Sequence, residues 1–261
     1  MSSVFRNHWT AIFAAAALVA TFAPVAGAKA PTIPKPIAAA VADPARPQAD
    51  RDRDADRKPA ECIAFAGLKP GQRIADLIPG GGYFTRIFSA VVGPKGEVLA
   101  VAPPKRPDAP PDRPEPSAAV RAIAGDPHYG NVNVSVEKIA ELRLPEKLDM
   151  VWTSQNYHDI HNVPNIDVGA FNKTVFNSLK PGGIYIVIDH AAEKGAGFTA
   201  TSTLHRSDPE AVKAEVTAAG FEFVGSSDVI ANPSDDHKTA VFEKGLHDRT
   251  DRYVLKFRRP K

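Results

Sequence analysis

Residues 51–261 predict an α/β domain in which a mostly parallel sheet is wrapped by helices. Three observations predict it. Short apolar runs alternate with segments whose apolar residues recur at helical spacing, the pattern of strands joined by helical crossovers. The run "GGIYIVIDH" (182–190) is almost continuously apolar, as in a strand buried on both faces. Finally, "PGGG" (79–82) stands between the first apolar run and the first helical pattern, where nucleotide-binding folds hold a ligand.

The elements follow in order. Pro59 can occupy the first turn of a helix through "PAECIAFAGL", with Gly67 closing it. "QRIADLI" is the first strand. "YFTRIFSAVVG" sets Phe84, Ile87, Phe88 and Val91 on one face of a helix that ends at Gly93. "GEVLAVA" is a second strand, entered by the turn "GPKG". The proline-rich stretch 103–116 can be neither helix nor inner strand and reads as a surface excursion. A short helix "AAVRAIAG", a third strand "NVNVSV" and a fourth strand "LDMVWTS" come next. "DVGAFNKTVFNSL" spaces Val168, Phe171, Val175 and Leu179 as an amphipathic helix. After the fifth strand, "SDPEAVKAEVTAAG" is a helix capped by Ser207 or Asp208 and closed by Gly220. "FEFVGSSDV" and "DRYVLKFRR", joined without a helix, are the last two of seven strands, and they suggest one antiparallel edge strand.

Residues 1–28 stand apart. Arg6 precedes a long uncharged apolar run that ends in Ala26-Gly27-Ala28, the anatomy of a secretory signal peptide. An uncleaved membrane anchor is the alternative; Pro24 and the small-residue end favour cleavage and an exported, periplasmic or secreted protein without stable membrane association. Residues 29–50, rich in Pro and Ala without sustained periodicity, read as a linker or an arm lying over the domain. The mixed-sign run "RDRDADRK" (51–58) reads as the solvated start of a helix. The net charge is +2, and +1 without residues 1–28, so charge gives no case for nucleic acid. Cys62 is the one cysteine; it excludes an internal disulfide and reads as a small buried hydrophobe.

In a sheet of this kind ligands bind beyond the carboxyl ends of the strands. The loops after strands one, two, four and five hold much of the unusual polar chemistry. Gly80, Gly81 and Gly82 can take positive φ and bring backbone N–H groups close to a ligand. The dinucleotide fingerprint fits poorly, because Thr85 stands where its third glycine belongs, and no phosphate-loop lysine follows.

"RIADLIPGGGYFTRIFSAVVGPKGEVLAVAP", "LDMVWTSQNYHDIHN", "LKPGGIYIVIDH" and the terminal "FEFVGSSDVI…YVLKFRRP" pair resemble, in order, class I S-adenosylmethionine-dependent methyltransferases. The "PGGGYFTR" and "NYHD" blocks are similar in particular to a family of predicted exported bacterial methyltransferases. The resemblance spans residues of about 50 to 261. It implies a Rossmann-like, seven-stranded mostly parallel sheet with an antiparallel C-terminal strand, S-adenosylmethionine as cofactor and a small-molecule acceptor. It also implies that Asp76, Pro79, Gly80, Gly81, Gly82 and Tyr83, with Gln155 and Asn156 after strand four, contact the cofactor. Two positions depart from the pattern. Ile78 stands where the glycine ladder begins, and strand two ends in Ala102-Pro103 without the acid that binds the ribose hydroxyls.

Of the polar residues 155–162, His158 is the expected general base and Tyr157 its catalytic neighbour. Asp189, His190, His205 and Arg206 are expected to complete the pocket wall. Two other readings stay open: a methyltransferase-like binding module without catalysis, and a metal hydrolase with His158 and His161 as ligands.

Overall fold

The computed structural model describes residues 32–246 and 248–261. They belong to one compact unit, Pro31–Lys261, and the expected signal peptide lies outside them. Among them no helix is long and apolar enough to cross a membrane.

The segment expected to be a linker or arm contains helix α1 (Lys35–Val41), which packs on the helix Tyr83–Val92 and buries Ile37 and Ala40. Two single-turn helices follow, α2 (Gln48–Arg51) and α3 (Asp54–Arg57), and then α4 (Pro59–Ala66), closed as expected by Gly67 in the left-handed region. The run 51–58 is not a solvated face: Arg57 is buried, and Arg46 pairs through two nitrogens with Asp54, both at 2.8 Å.

From there the alternation holds. β1 (Arg73–Leu77), α5 (Tyr83–Val92), β2 (Glu97–Ala102), α6 (Ala118–Ala124), β3 (Val132–Val136) and β4 (Leu148–Ser154) match the predicted segments. Residues 103–116 form neither helix nor strand. A single turn, α7 (Tyr157–Ile160), precedes α8 (Val168–Ser178), β5 (Leu179–His190), α9 (Pro209–Ala218), β6 (Glu222–Ser227) and β7 (Arg252–Arg258). Asp208 is the cap of α9, accepting from the Glu210 N–H at 2.9 Å. Ser207 is used elsewhere.

The strands form one sheet in the order β3-β2-β1-β4-β5-β7-β6. β1 to β5 are parallel, whereas β7 is antiparallel to both β5 and β6. The expected antiparallel strand is therefore present but does not form the edge. The long connection 228–251 lets β7 turn back between β5 and β6, leaving β6 outermost.

Side-chain alternation divides the core between the two sheet faces. Met150, Trp152, Ile186 and Ile188 pack with Ile37, Ile63, Ile87 and Phe88 under α1, α4 and α5. Val151, Tyr185 and Val187 pack with Phe171, Val175, Val212 and Val216 under α8 and α9. Cys62 is wholly buried on the first face, and burial pushes its thiol up to about 12, which suits an inert hydrophobe. The parallel register sets Asp76 between Ala100 and Trp152, so the carboxyl ends of β1, β2 and β4 open on one side.

Candidate active site

A cleft of about 230 Å³ lies at that side. Its floor is the turn from β1 to α5: Asp76, Ile78, Pro79, Gly80, Gly81 and Tyr83 all line it. The turn closes through the Gly82 N–H, which donates to the Pro79 carbonyl at 2.9 Å. Gly80 and Gly82 have positive φ, and so does Ile78, at 53°. A β-branched residue in the left-handed region is strained by roughly 1–2 kcal/mol. Ile78 thus holds a backbone shape that glycine adopts without strain. The Asn156 amide holds the strained carbonyl, donating to Ile78 O at 3.0 Å and to Ser154 O at 2.7 Å, so the turn is tied to the end of β4.

The three glycines have different tasks. A Cβ at Gly81, which lines the cleft, would meet nothing within 4 Å. A Cβ at Gly82 would lie 2.2 Å from Ile123 Cδ1. Gly82 therefore permits α6 to pack against the turn, and it is not among the residues that line the cleft.

Asp76 accepts a hydrogen bond from Thr85 Oγ1 at 2.7 Å. Thr85, the residue that breaks the dinucleotide fingerprint, is thus the partner of the strand-one acid. Burial pushes the Asp76 carboxyl up to about 7, against the hydrogen bond from Thr85 and the charge of Arg57.

The opposite wall comes from the N-terminal helices. Asp50, Arg53 and Arg57 line the cleft. Arg53 donates to Asp248 through Nε at 2.5 Å and Nη2 at 3.0 Å, and Arg57 lies 3.6 Å from the same carboxylate. The Arg57 guanidinium sits over the Tyr83 ring, 4.3 Å from its centre, while the Tyr83 hydroxyl donates to Asp54 at 2.6 Å. Burial lowers Arg57 to about 10, with Asp248 opposing it. Sequence reasoning missed this wall. The available signal was the spacing of Arg53 and Arg57, which puts both on one helical face.

Ser154, Gln155 and Asn156 form the third side. Gln155 also has positive φ, 60°, and its N–H donates to Ile188 O at 2.7 Å. The next residues leave the cleft, which corrects two expectations. Tyr157 is fully buried in the core beneath α8 and α9, with its hydroxyl donating to Glu215 at 2.6 Å and accepting from Asn172 at 2.7 Å. It does not line the cleft. His158 is buried too and does not line it.

His158 belongs to a second polar centre at the ends of β4 and β5. Its Nδ1 and backbone N–H each lie 2.7 Å from an Asp189 oxygen. Ser207 donates to the same carboxylate at 2.8 Å. Burial lowers the His158 pKa, but Asp189 and Asp159 outweigh it and push it up to about 10. His190, hydrogen-bonded to Thr250, is driven down to about 3 by burial. Arg206 is held by Asp235 in a buried pair at 2.8 and 3.0 Å, so it joins no cleft wall. His161 is 3.1 Å from Glu215 and stacks on Phe198, so the ligand pair of the alternative metal-hydrolase reading is not assembled.

No family model matches the chain. The ubiquinone/menaquinone biosynthesis C-methyltransferases UbiE of two Vibrio vulnificus strains are 32% identical over 137 residues, 49% of this chain and 44% of theirs. The match thus spans less than half the length of these relatives. Among solved structures, a SAM-dependent methyltransferase from Aquifex aeolicus aligns with a TM-score of 0.55 at 16% identity over 81% of this chain and 95% of that one. One from Mesorhizobium loti aligns at 0.56 and 18% over 79% and 100%. The [4+2]-cyclase SpnF aligns at 0.57 and 20% over 79% and 81%. At these identities the likeness establishes the fold, the seven-stranded class I methyltransferase-like arrangement. The cyclase shows that this fold is not confined to one reaction.

Proposed function

We propose that this chain is an S-adenosylmethionine-dependent methyltransferase acting on a small acceptor. The observation that carries the proposal is one cleft built jointly by the glycine turn after β1 and the end of β4. The partial likeness to UbiE C-methyltransferases points the same way. The residues present fit the cofactor: Gly81 leaves open the space that a Cβ would fill. The enclosed volume falls below the ~300–1,000 Å³ of sites that surround a whole drug-sized ligand. It suits one end of the cofactor, and the methionine portion is assigned to it.

In this assignment the turn at 79–81 approaches the methionine portion, and Arg53 and Arg57 supply positive charge for its carboxylate. Asp50, 3.1 Å from Arg86 and largely buried, adds a carboxylate to the same wall of the cleft. The bound cofactor supplies an electrophilic methyl group. In-line positioning is the main requirement for its transfer, so a strong base at the cleft is optional and the acceptor's proton can leave to solvent. This agrees with the placement of Tyr157 and His158 outside it. Export is also proposed, resting on Arg6, the apolar run and the small-residue site at 26–28; a chain that keeps its Met1 N-terminus and is recovered from the cytoplasmic fraction with none in the periplasmic fraction would overturn it.

Calorimetry of the purified chain with S-adenosylmethionine and with S-adenosylhomocysteine tests the main proposal. Saturable one-to-one binding of both is expected. Binding of neither would sink it, and binding without turnover of any offered acceptor would favour the non-catalytic module.

A further inference from the structure

His158 Nε2 is the starting point. The side chain is 2% exposed, and its Nε2 is buried with no hydrogen-bond partner. The Asp159 carboxylate, 3.4 Å away, faces it as a charge partner without completing a hydrogen bond. Its companion nitrogen is firmly committed: Nδ1 faces Asp189, which is itself held by Ser207, and Ser207 in turn meets the Tyr253 hydroxyl at 2.7 Å. A carboxylate on one ring nitrogen, with the other aimed into a polar cluster, is the outer-shell arrangement of metal-bound histidines.

The cluster that Nε2 faces contains Asp159 and His205. Asp159 Oδ2 lies 3.4 Å from His158 Nε2, and Asp159 Oδ1 lies 3.1 Å from His205 Nδ1. One ligand atom from each of the three residues falls within 4.8 Å of the others. A tetrahedral zinc-class ion with bonds of ~2.0–2.1 Å separates its ligands by about 3.3 Å, so small side-chain rotations would bring the three into range. The His205 backbone is held in the left-handed region, at φ 55°. The Asn162 amide, donating to Thr201 O at 3.0 Å, stands 3.4 Å from Asp159.

We propose that His158, Asp159 and His205 bind a divalent transition-metal ion of the zinc class. Two imidazoles and one carboxylate select such an ion over calcium or magnesium, which prefer oxygen ligands. Three protein ligands leave a coordination position open. That position faces outward, because Asp159 and His205 are 45% and 28% exposed while His158 is enclosed. Phe242, 75% exposed, sets its ring 4.6 Å from the ring of His205 and forms an apolar wall beside the opening. The site does not depend on the methyltransferase proposal. It lies beside the cleft, two residues along the chain from Asn156.

Titration of the chelator-stripped full chain with Co²⁺, followed by displacement with Zn²⁺, tests the site. One equivalent of Co²⁺ should bind, with visible absorption bands of a four- or five-coordinate ion that disappear on adding Zn²⁺. His205→Ala and Asp159→Asn, both on partly exposed side chains, should weaken Zn²⁺ by roughly 100-fold or more, given that losing an outer-shell partner alone costs about 10–100-fold. Asp189→Asn should fall in that lower range, and His237→Ala, outside the cluster, should match the wild type. Circular dichroism confirms that each variant is folded. Absence of stoichiometric Co²⁺ uptake by the wild type would leave His158 as an imidazolium between two carboxylates and overturn the proposal. Uptake that survives both His205→Ala and Asp159→Asn would overturn it equally.

Discussion

Asp76 accepts a hydrogen bond from Thr85 and lies out of contact with bulk water, and its carboxyl is pushed up to about 7. Between about pH 4 and 7 the folded chain therefore holds a proton that the unfolded chain has released. Stability conferred at this position falls as pH rises through that window and levels off above it. Asp76→Asn keeps an acceptor for Thr85 and removes the titration. Urea unfolding at pH 4.5 and 7.5 should show the variant gaining on the wild type at the higher pH, by a few kcal/mol at most; an equal difference at both pH values would contradict the assignment. The neighbouring glycines separate fold from function. Gly81→Val should abolish S-adenosylmethionine binding with little change in Tm, because its side chain would occupy the cleft. Gly82→Ala should do the reverse, lowering stability by about 1–3 kcal/mol through the clash with Ile123 and the positive φ. Calorimetry and thermal melts on the same two variants check both.

Helix α1 shows why one element escaped the sequence and most did not. α5 and α8 are long enough to display a stripe of apolar residues, and a stripe is legible wherever one face is buried. α1 has seven residues, an inner proline and three consecutive alanines, so no period emerges. Its Ile37 is nonetheless 1% exposed. Ile37→Ala should cost about 2–4 kcal/mol, measured by chemical denaturation, where a linker residue would cost almost nothing. The strand order was hidden for another reason. Alternation and apolar runs mark β6 and β7 as strands, but β7 lies inside the sheet through pairing with β5, and nothing local encodes a partner over 60 residues distant. The site divides in the same way. The glycine turn and residues 154–156 were legible because strand ends locate ligands in such sheets. Arg53 and Arg57 were not, since a mixed-sign run reads as solvated until its buried partner is known. The direction of Tyr157 was equally hidden, because the turn after β4 decides which side of the sheet it enters.

Across the whole molecule, the cleft wall depends on residues near both ends of the domain. Asp248 joins Arg53, Arg57 and Arg252, and the Arg252 guanidinium also donates to Asp56 O at 2.8 Å. Asp248 is 4% exposed, so its loss leaves buried guanidinium groups without their shared carboxylate. Asp248→Asn should cost about 3–5 kcal/mol of stability. It should also weaken S-adenosylmethionine binding, although residue 248 touches no ligand; unchanged affinity in a folded variant would show that the wall is held by other means. The bond between Arg53 and Asp248 spans 195 residues. During synthesis the glycine turn emerges early, yet its facing wall is fixed only once the ribosome has delivered the start of the final strand. A chain cut short before residue 248 would carry every residue of the turn and still lack the carboxylate that fixes the facing wall.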